Sequence, residues 1–143
     1  MKSYIDAQPK SIQLYHIDAV PDNFLFVTGK DGSEEIKLTD WEYAGMQDPH
    51  LDVAMFIIYA MYDRDSAEKL IDLYFSDGCD KATRLKIYCY IAVSGLVWSN
   101  WCEFKRHCGV EFGAYAQRQY DYAREYTKIF FKEYREAFGR DYV

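Results

Sequence analysis

The residues able to do chemistry crowd into the first third of this chain. Between His16 and Asp52 stand nine acids (Asp18, Asp22, Asp31, Glu34, Glu35, Asp40, Glu42, Asp48, Asp52) against two bases, Lys30 and Lys37, and no arginine. Carboxylates at that density require water, remote partners or a metal ion. The polar stretch TGKDGSEE, residues 28–35, accounts for Asp31, Glu34 and Glu35 as solvated turn residues. Asp18 and Asp40 differ, because each follows the end of an apolar strand-like run and so sits at a rim. Oxygen ligands from adjacent strand ends suit a hard cation such as magnesium, which keeps several waters and takes further ligands from a nucleotide's phosphates.

The spacing sharpens this reading. His16-x-Asp18, four further residues and Asn23 reproduce an H-x-D-x-x-x-x-N loop. In phosphoryl transfer the aspartate of such a loop accepts the proton of the substrate hydroxyl, and the asparagine helps to hold magnesium. Alone the pattern is weak. Here a strand, a turn, a second strand and then Asp40 follow it, so that Asp40, opening D-W-E, falls where the kinase fold carries its D-F-G aspartate. The ordinary alternative makes Asp18 and Asn23 a polar turn and Asp40 a cap. The ordered context favours the chemical reading.

The elements that must position these residues are asymmetric along the chain. IQLYH (12–16), NFLFV (23–27) and IKLTD (36–40) read as short strands, the last two joined by a hairpin turn at Asp31-Gly32. Asp48 as N-cap and Pro49 at the first helical position begin a mostly apolar helix, LDVAMFIIYAMY. Further helices are expected from Ser66 to about Ser76, from near Asp80 to about Arg106, and from about Ala114 to Phe138. The last places Tyr115, Tyr122, Tyr126, Phe130, Tyr134 and Phe138 on one face at helical period, and Gly139 closes it. No repeat, linker or second domain is evident. One domain over residues 1–143 is expected, α+β in class and mainly α.

Composition narrows the partners. Half of the residues are hydrophobic and 18% are aromatic, which is globular rather than disordered. A net charge of −6 argues against a nucleic-acid backbone as ligand. Cys79, Cys89, Cys102 and Cys108 form no C-x-x-C pair and show no zinc spacing, so they read as reduced, mostly buried thiols. No signal peptide and no bilayer-spanning run is apparent, which makes a cytoplasmic location the expectation.

HIDAVPDNFLF together with LTDWEYAGMQDPHLDVAMF resembles the choline and ethanolamine kinases, especially the bacterial choline kinases, within the aminoglycoside phosphotransferase-like group. The resemblance implies a protein-kinase-like fold with Asp18 as catalytic base, His16 in the same loop, and Asn23 and Asp40 as magnesium ligands. Asp52 resembles the aspartate that supports the catalytic loop; its plainer role is a first-turn acid favoured by the helix dipole. SGLVWSNW and VEFGAYAQ resemble the segments that build the acceptor pocket, which places Trp98, Phe112 and Tyr115 there. Trp101 lies on the same helical face as Trp98, and Glu42 and Tyr43 complete the implied substrate-binding set. A quaternary ammonium cannot donate a hydrogen bond and is held by aromatic faces, so a tryptophan and tyrosine cage suits choline. The plainer fate of these aromatics is the core.

A kinase of this kind also needs a glycine-rich loop over the phosphates and a lysine to hold them, in a lobe ahead of the catalytic loop. Only 15 residues precede His16, and no G-x-G-x-x-G occurs. The chain therefore reads as a C-terminal lobe beginning inside a helix, with short strands carrying the catalytic loop and about four helices after them. The implied activity is transfer of the ATP γ-phosphate to choline with Mg2+, with the chain inactive by itself. An aminoglycoside, ethanolamine or sugar acceptor, or a non-catalytic helical binding module, remain alternatives. Apolar surface uncovered by an absent lobe would favour self-association.

Overall fold

A computed structural model describes residues 1–142. A short helix α1 (Lys2–Ala7) leads into strand β1 (Gln13–Tyr15), and the segment after it passes through a 3-10 turn at Pro21–Asn23. Strands β2 (Phe24–Thr28) and β3 (Glu34–Leu38) follow, then a second 3-10 turn at Trp41–Tyr43 and strand β4 (Gly45–Gln47). Four helices complete the chain: α2 (His50–Tyr59), α3 (Arg64–Tyr74), α4 (Lys81–His107) and α5 (Ala114–Phe138).

The hairpin forms as the turn chemistry requires. Gly32 adopts φ +82°, a conformation that costs glycine little, and the Asp31 carboxylate accepts from the Ser33 amide at 3.0 Å. The β2–β3 register pairs Phe26 with Ile36 and Phe24 with Leu38. β1 does not join this hairpin. It pairs antiparallel with β4, Leu14 opposite Met46, in a separate two-stranded sheet. Both sheets leave paired apolar side chains in solvent, with Phe26 81% and Ile36 64% exposed, and Leu14 62% and Met46 61%.

The helices enclose the core, whose large members include Ile57 and Ile58 of α2, Ile71 of α3, Leu85, Tyr88 and Ile91 of α4, and Tyr122, Tyr126 and Phe130 of α5. The aromatic face of α5 is buried as its periodicity demands at Tyr122, Tyr126, Phe130 and Tyr134, while Phe138 is exposed at the end. α4 and α5 approach closely at Gly95, where a β-carbon would stand 2.7 Å from the Gln119 carbonyl oxygen. α5 also satisfies carbonyls in the last turn of α2 and in the segment after it: Gln119 donates to Ile58 O at 2.9 Å, and Arg118 donates to Tyr62 O at 3.0 Å.

Two helix starts differ from expectation. α3 begins at Arg64, two residues before Ser66, because the Asp63 side chain accepts from the Ser66 amide at 2.9 Å and caps the helix from there. Asp48 does accept from the His50 amide at 3.1 Å, but the helix opens at His50 with Pro49 ahead of it. The other Asp48 oxygen is buried against Lys86 Nζ at 2.8 Å, and Tyr90 donates to it at 3.2 Å. Burial by itself would raise the Asp48 carboxyl, yet the Lys86 hydrogen bond, the His50 amide and the Lys86 charge hold it below the usual carboxylate range. Lys86 also donates to Pro9 O at 3.0 Å, which ties the segment before β1 to α4.

Candidate functional site

The loop that follows β1 is held from behind by α2. Asp52, in the first turn of that helix, accepts the His16 amide at 3.1 Å and the Ile17 amide at 2.8 Å. Ile17 takes φ +69°, a rare conformation for a β-branched residue that persists only where surrounding contacts fix it. The paired hydrogen bonds to Asp52 are such contacts. Asp52 is thus both a first-turn acid and the support of this loop.

His16 is 2% exposed and its ring packs edge-on to Trp41, with centroids 4.9 Å apart. Its Nε2 lies 2.7 Å from the Thr39 carbonyl oxygen. A carbonyl can only accept, so the ring proton resides on Nε2, and Nδ1 has no partner among the described residues. Thr39 donates from its own amide to Asn23 O at 3.0 Å. The residue immediately before Asp40 is therefore bound to both ends of the H-x-D-x-x-x-x-N loop, which fixes Asp40 beside it. Asp40 adopts a left-handed conformation, φ 62° and ψ 61°, at the start of the Trp41–Tyr43 turn. Asn23 donates through Nδ2 to Asp18 O at 3.0 Å, leaving its side-chain oxygen free to accept. Asn23 and Asp40 together offer hard oxygen donors from the ends flanking the hairpin, as magnesium prefers. Among the described residues no group of three or more histidines, cysteines and acids forms a metal cluster.

Asp18 opens into a cavity of about 470 Å³ lined also by Pro21, Asp22, Tyr59, Trp98, Trp101, Phe112 and Tyr115. The aromatic rings run as a continuous wall. Centroid separations are 5.6 Å from Tyr59 to Trp98, 5.1 Å from Trp98 to Trp101, 5.2 Å from Trp101 to Phe112 and 6.4 Å from Phe112 to Tyr115. Burial first, and then the charges of Cys102 and Asp18, push the Tyr115 phenol up to about 12. The cavity combines a carboxylate at one end with apolar faces along its side. It can take a small molecule with a hydroxyl and a cationic or apolar body. Phe112 also borders a second cavity of about 430 Å³, where Asn100, Glu103, Arg106, Glu111 and Gln117 gather between the end of α4 and the start of α5.

No protein-family model matches the chain. The protein LicA of Haemophilus influenzae is 29% identical over 120 residues, covering 76% of this chain and 41% of that protein. A choline/ethanolamine kinase family protein from Mesorhizobium loti superposes with a TM-score of 0.72 at 26% identity, over 89% of this chain and 43% of its own. The choline kinase LicA from Streptococcus pneumoniae superposes with a TM-score of 0.66 at 26% identity, over 90% of this chain and 44% of its own. A structure of LicA in complex with AMP gives 0.67. In sequence and fold the chain is similar to these choline/ethanolamine kinase proteins, and its fold is that of the C-terminal lobe of a kinase-like fold. It spans less than half the length of the family members it matches.

Seen beside the choline/ethanolamine kinase family, the residues expected from sequence divide into three groups. Asp18, Trp98, Trp101, Phe112 and Tyr115 line one cavity. His16, Asn23, Asp40 and Asp52 build and brace the loop beside it. Glu42 and Tyr43 lie on the exposed turn after Asp40 and do not line the cavity, Tyr43 being 61% exposed. Tyr59 joins the cavity without any sequence signal, since within an almost wholly apolar helix nothing separates it from the core. Among the described residues no helix is long and apolar enough to cross a membrane.

Proposed function

We propose that this chain is the catalytic and acceptor-binding lobe of a small-molecule kinase that transfers the ATP γ-phosphate to the hydroxyl of choline. The single observation that carries this reading is the shared cavity of Asp18 and the aromatic wall. A hydroxyl brought to Asp18 has its trimethylammonium end against Trp98 and Tyr115, where cation-π attraction suits a group that cannot donate hydrogen bonds. Asp18 takes the hydroxyl proton as the oxygen attacks phosphorus, and Asp52 and Thr39 keep the loop from moving during that step.

Asn23 and Asp40 would hold Mg2+, whose role when bound is to neutralise the phosphate oxygens. AMP in a LicA structure supports a nucleotide as the co-substrate. The chain contains no glycine-rich phosphate loop, so we expect this single domain to be inactive unless an ATP-binding lobe accompanies it. The exposed apolar pairs Phe26–Ile36 and Leu14–Met46 favour association of that surface with another. Four free cysteines among the described residues support a reducing compartment such as the cytoplasm.

A second reading, a non-catalytic binding module, draws on the same missing loop. Coupled assay of ATP-dependent choline phosphorylation distinguishes the two. In a protein joined to an ATP-binding lobe, turnover is expected and Asp18→Ala should reduce it by about two orders of magnitude or more, as loss of a general base does. Full activity in that variant, or no turnover from the joined protein, would contradict the kinase reading. Activity with ethanolamine, an aminoglycoside or a sugar in place of choline would reassign the acceptor.

A further inference from the structure

Resting on the reading of this cavity as the acceptor site, we infer that Asp22 is its specificity-determining residue, the carboxylate whose charge pairs with the acceptor's cation while Asp18 faces the hydroxyl. Asp22 occupies one of the four positions that the H-x-D-x-x-x-x-N pattern leaves unspecified.

The loop holds Asp22 at a fixed place on the cavity rim. The Val20 amide donates to Asp18 O at 2.8 Å and the Asn23 amide to Val20 O at 3.0 Å, so two tight turns follow one another. Asn23 Nδ2 closes them onto Asp18 O at 3.0 Å. Pro21 opens the second turn with a backbone angle fixed by its ring. These bonds engage backbone carbonyls and leave the exposed Asp22 carboxylate without a partner among the described residues. Asp18 and Asp22 both line the cavity, and no lysine, arginine or histidine is among its lining residues.

The wall opposite is of a kind that attracts cations, and one of its rings already carries one. Lys105 Nζ, from outside the lining, stands 5.5 Å from the centroid of Trp101. The cavity of about 470 Å³ is within the range that admits drug-sized ligands, so an ammonium group can lie against the wall while a hydroxyl reaches Asp18. A quaternary ammonium donates no hydrogen bond, and Asp22 acts on it by charge alone. A neutral alcohol of the same shape gains the apolar contact of the wall and nothing from Asp22. Asp22 therefore separates cationic from neutral acceptors, which the wall by its shape does not.

The test is choline binding to the chain itself, followed by tryptophan fluorescence, in Asp22→Asn, which keeps the side chain's shape and removes its charge. Choline affinity should fall by about twofold to fivefold, as for an exposed ion pair, and Asp22→Lys should lower it further. The uncharged isostere 3,3-dimethylbutan-1-ol should not distinguish the three proteins. Raising salt from about 0.01 M to about 0.15 M shortens the screening length from about 30 Å to about 8 Å, and should weaken choline binding in the parent protein more than in Asp22→Asn. Asp65→Asn, which removes a charge from the first turn of α3 outside the cavity, should leave choline binding unchanged. Undiminished choline affinity in both Asp22 variants would overturn the inference, as would an equal loss for the isostere or for Asp65→Asn. Choline binding that is weakened by Trp98→Ala and indifferent to Asp22→Lys would sink the role of Asp22 and keep the acceptor reading. A chain that binds neither choline nor tetramethylammonium would sink both.

Discussion

One carboxylate, that of Asp52, accepts two consecutive backbone amides, His16 at 3.1 Å and Ile17 at 2.8 Å, and thereby holds a β-branched residue at positive φ beside Asp18. The helix dipole and the loop share this acid, so its removal has a local and a distant consequence. Asp52→Ala strands two partly buried amides, each worth about 1–3 kcal/mol when left unpaired. We expect a stability loss of about 2 kcal/mol or more by urea denaturation. Amide exchange should accelerate at His16 and Ile17 beyond the global change. Unaltered exchange at those two amides would show that the loop conformation is set elsewhere.

The buried pair of Asp48 and Lys86 makes an opposite kind of prediction, because its value lies in being complete. Lys86→Met leaves a carboxylate buried at 4% exposure without its cation, and breaking such a pair typically costs about 3–5 kcal/mol. The pH dependence has a definite sign. Since Asp48 is held below its ordinary value in the fold, its contribution is complete above the unfolded value of about 3.9 and is lost as pH falls through the lower folded value. His50, lowered first by burial and then by the Lys86 charge, adds a loss on acidification that begins near its ordinary value of about 6.5. Urea titrations from pH 8 to 3 should therefore show stability falling with acid in two stages, with the Asp48 stage absent in Lys86→Met. A single stage common to both proteins would contradict the assignment.

The sequence displays elements wherever a local pattern suffices. α5 runs from Ala114 to Phe138 as its aromatic period and Gly139 require, and Asp31-Gly32 marks the hairpin with no tertiary information. β4 carries no such mark: Gly45–Gln47 is three residues long, without alternation, and exists because Gln13–Tyr15, about thirty residues earlier, pairs with it. Asp63 and Ser66 are both good caps three residues apart, and only the hydrogen bond between them shows which begins α3. Asp48 reads as a cap because its capping contact is local, whereas Lys86 is 38 positions away. The site follows the same rule. Asp18 and Asn23 are announced by spacing, and Trp98 and Tyr115 by resemblance, while Tyr59 is disguised by the apolar helix around it.

The central claim, that Asp18 and the aromatic wall form one cationic-acceptor site, is tested most directly by titrating choline and its uncharged carbon isostere, 3,3-dimethylbutan-1-ol, into the protein under NMR observation. We expect choline to perturb the Trp98 and Tyr115 side chains and the Asp18 carboxyl together, and the isostere to bind more weakly. Trp98→Ala should reduce choline affinity by a few-fold to about thirtyfold, the equivalent of about 0.5–2 kcal/mol for one cation-π wall. Equal binding of the neutral isostere, or perturbations confined to the neighbouring cavity of Asn100, Glu111 and Gln117, would contradict it.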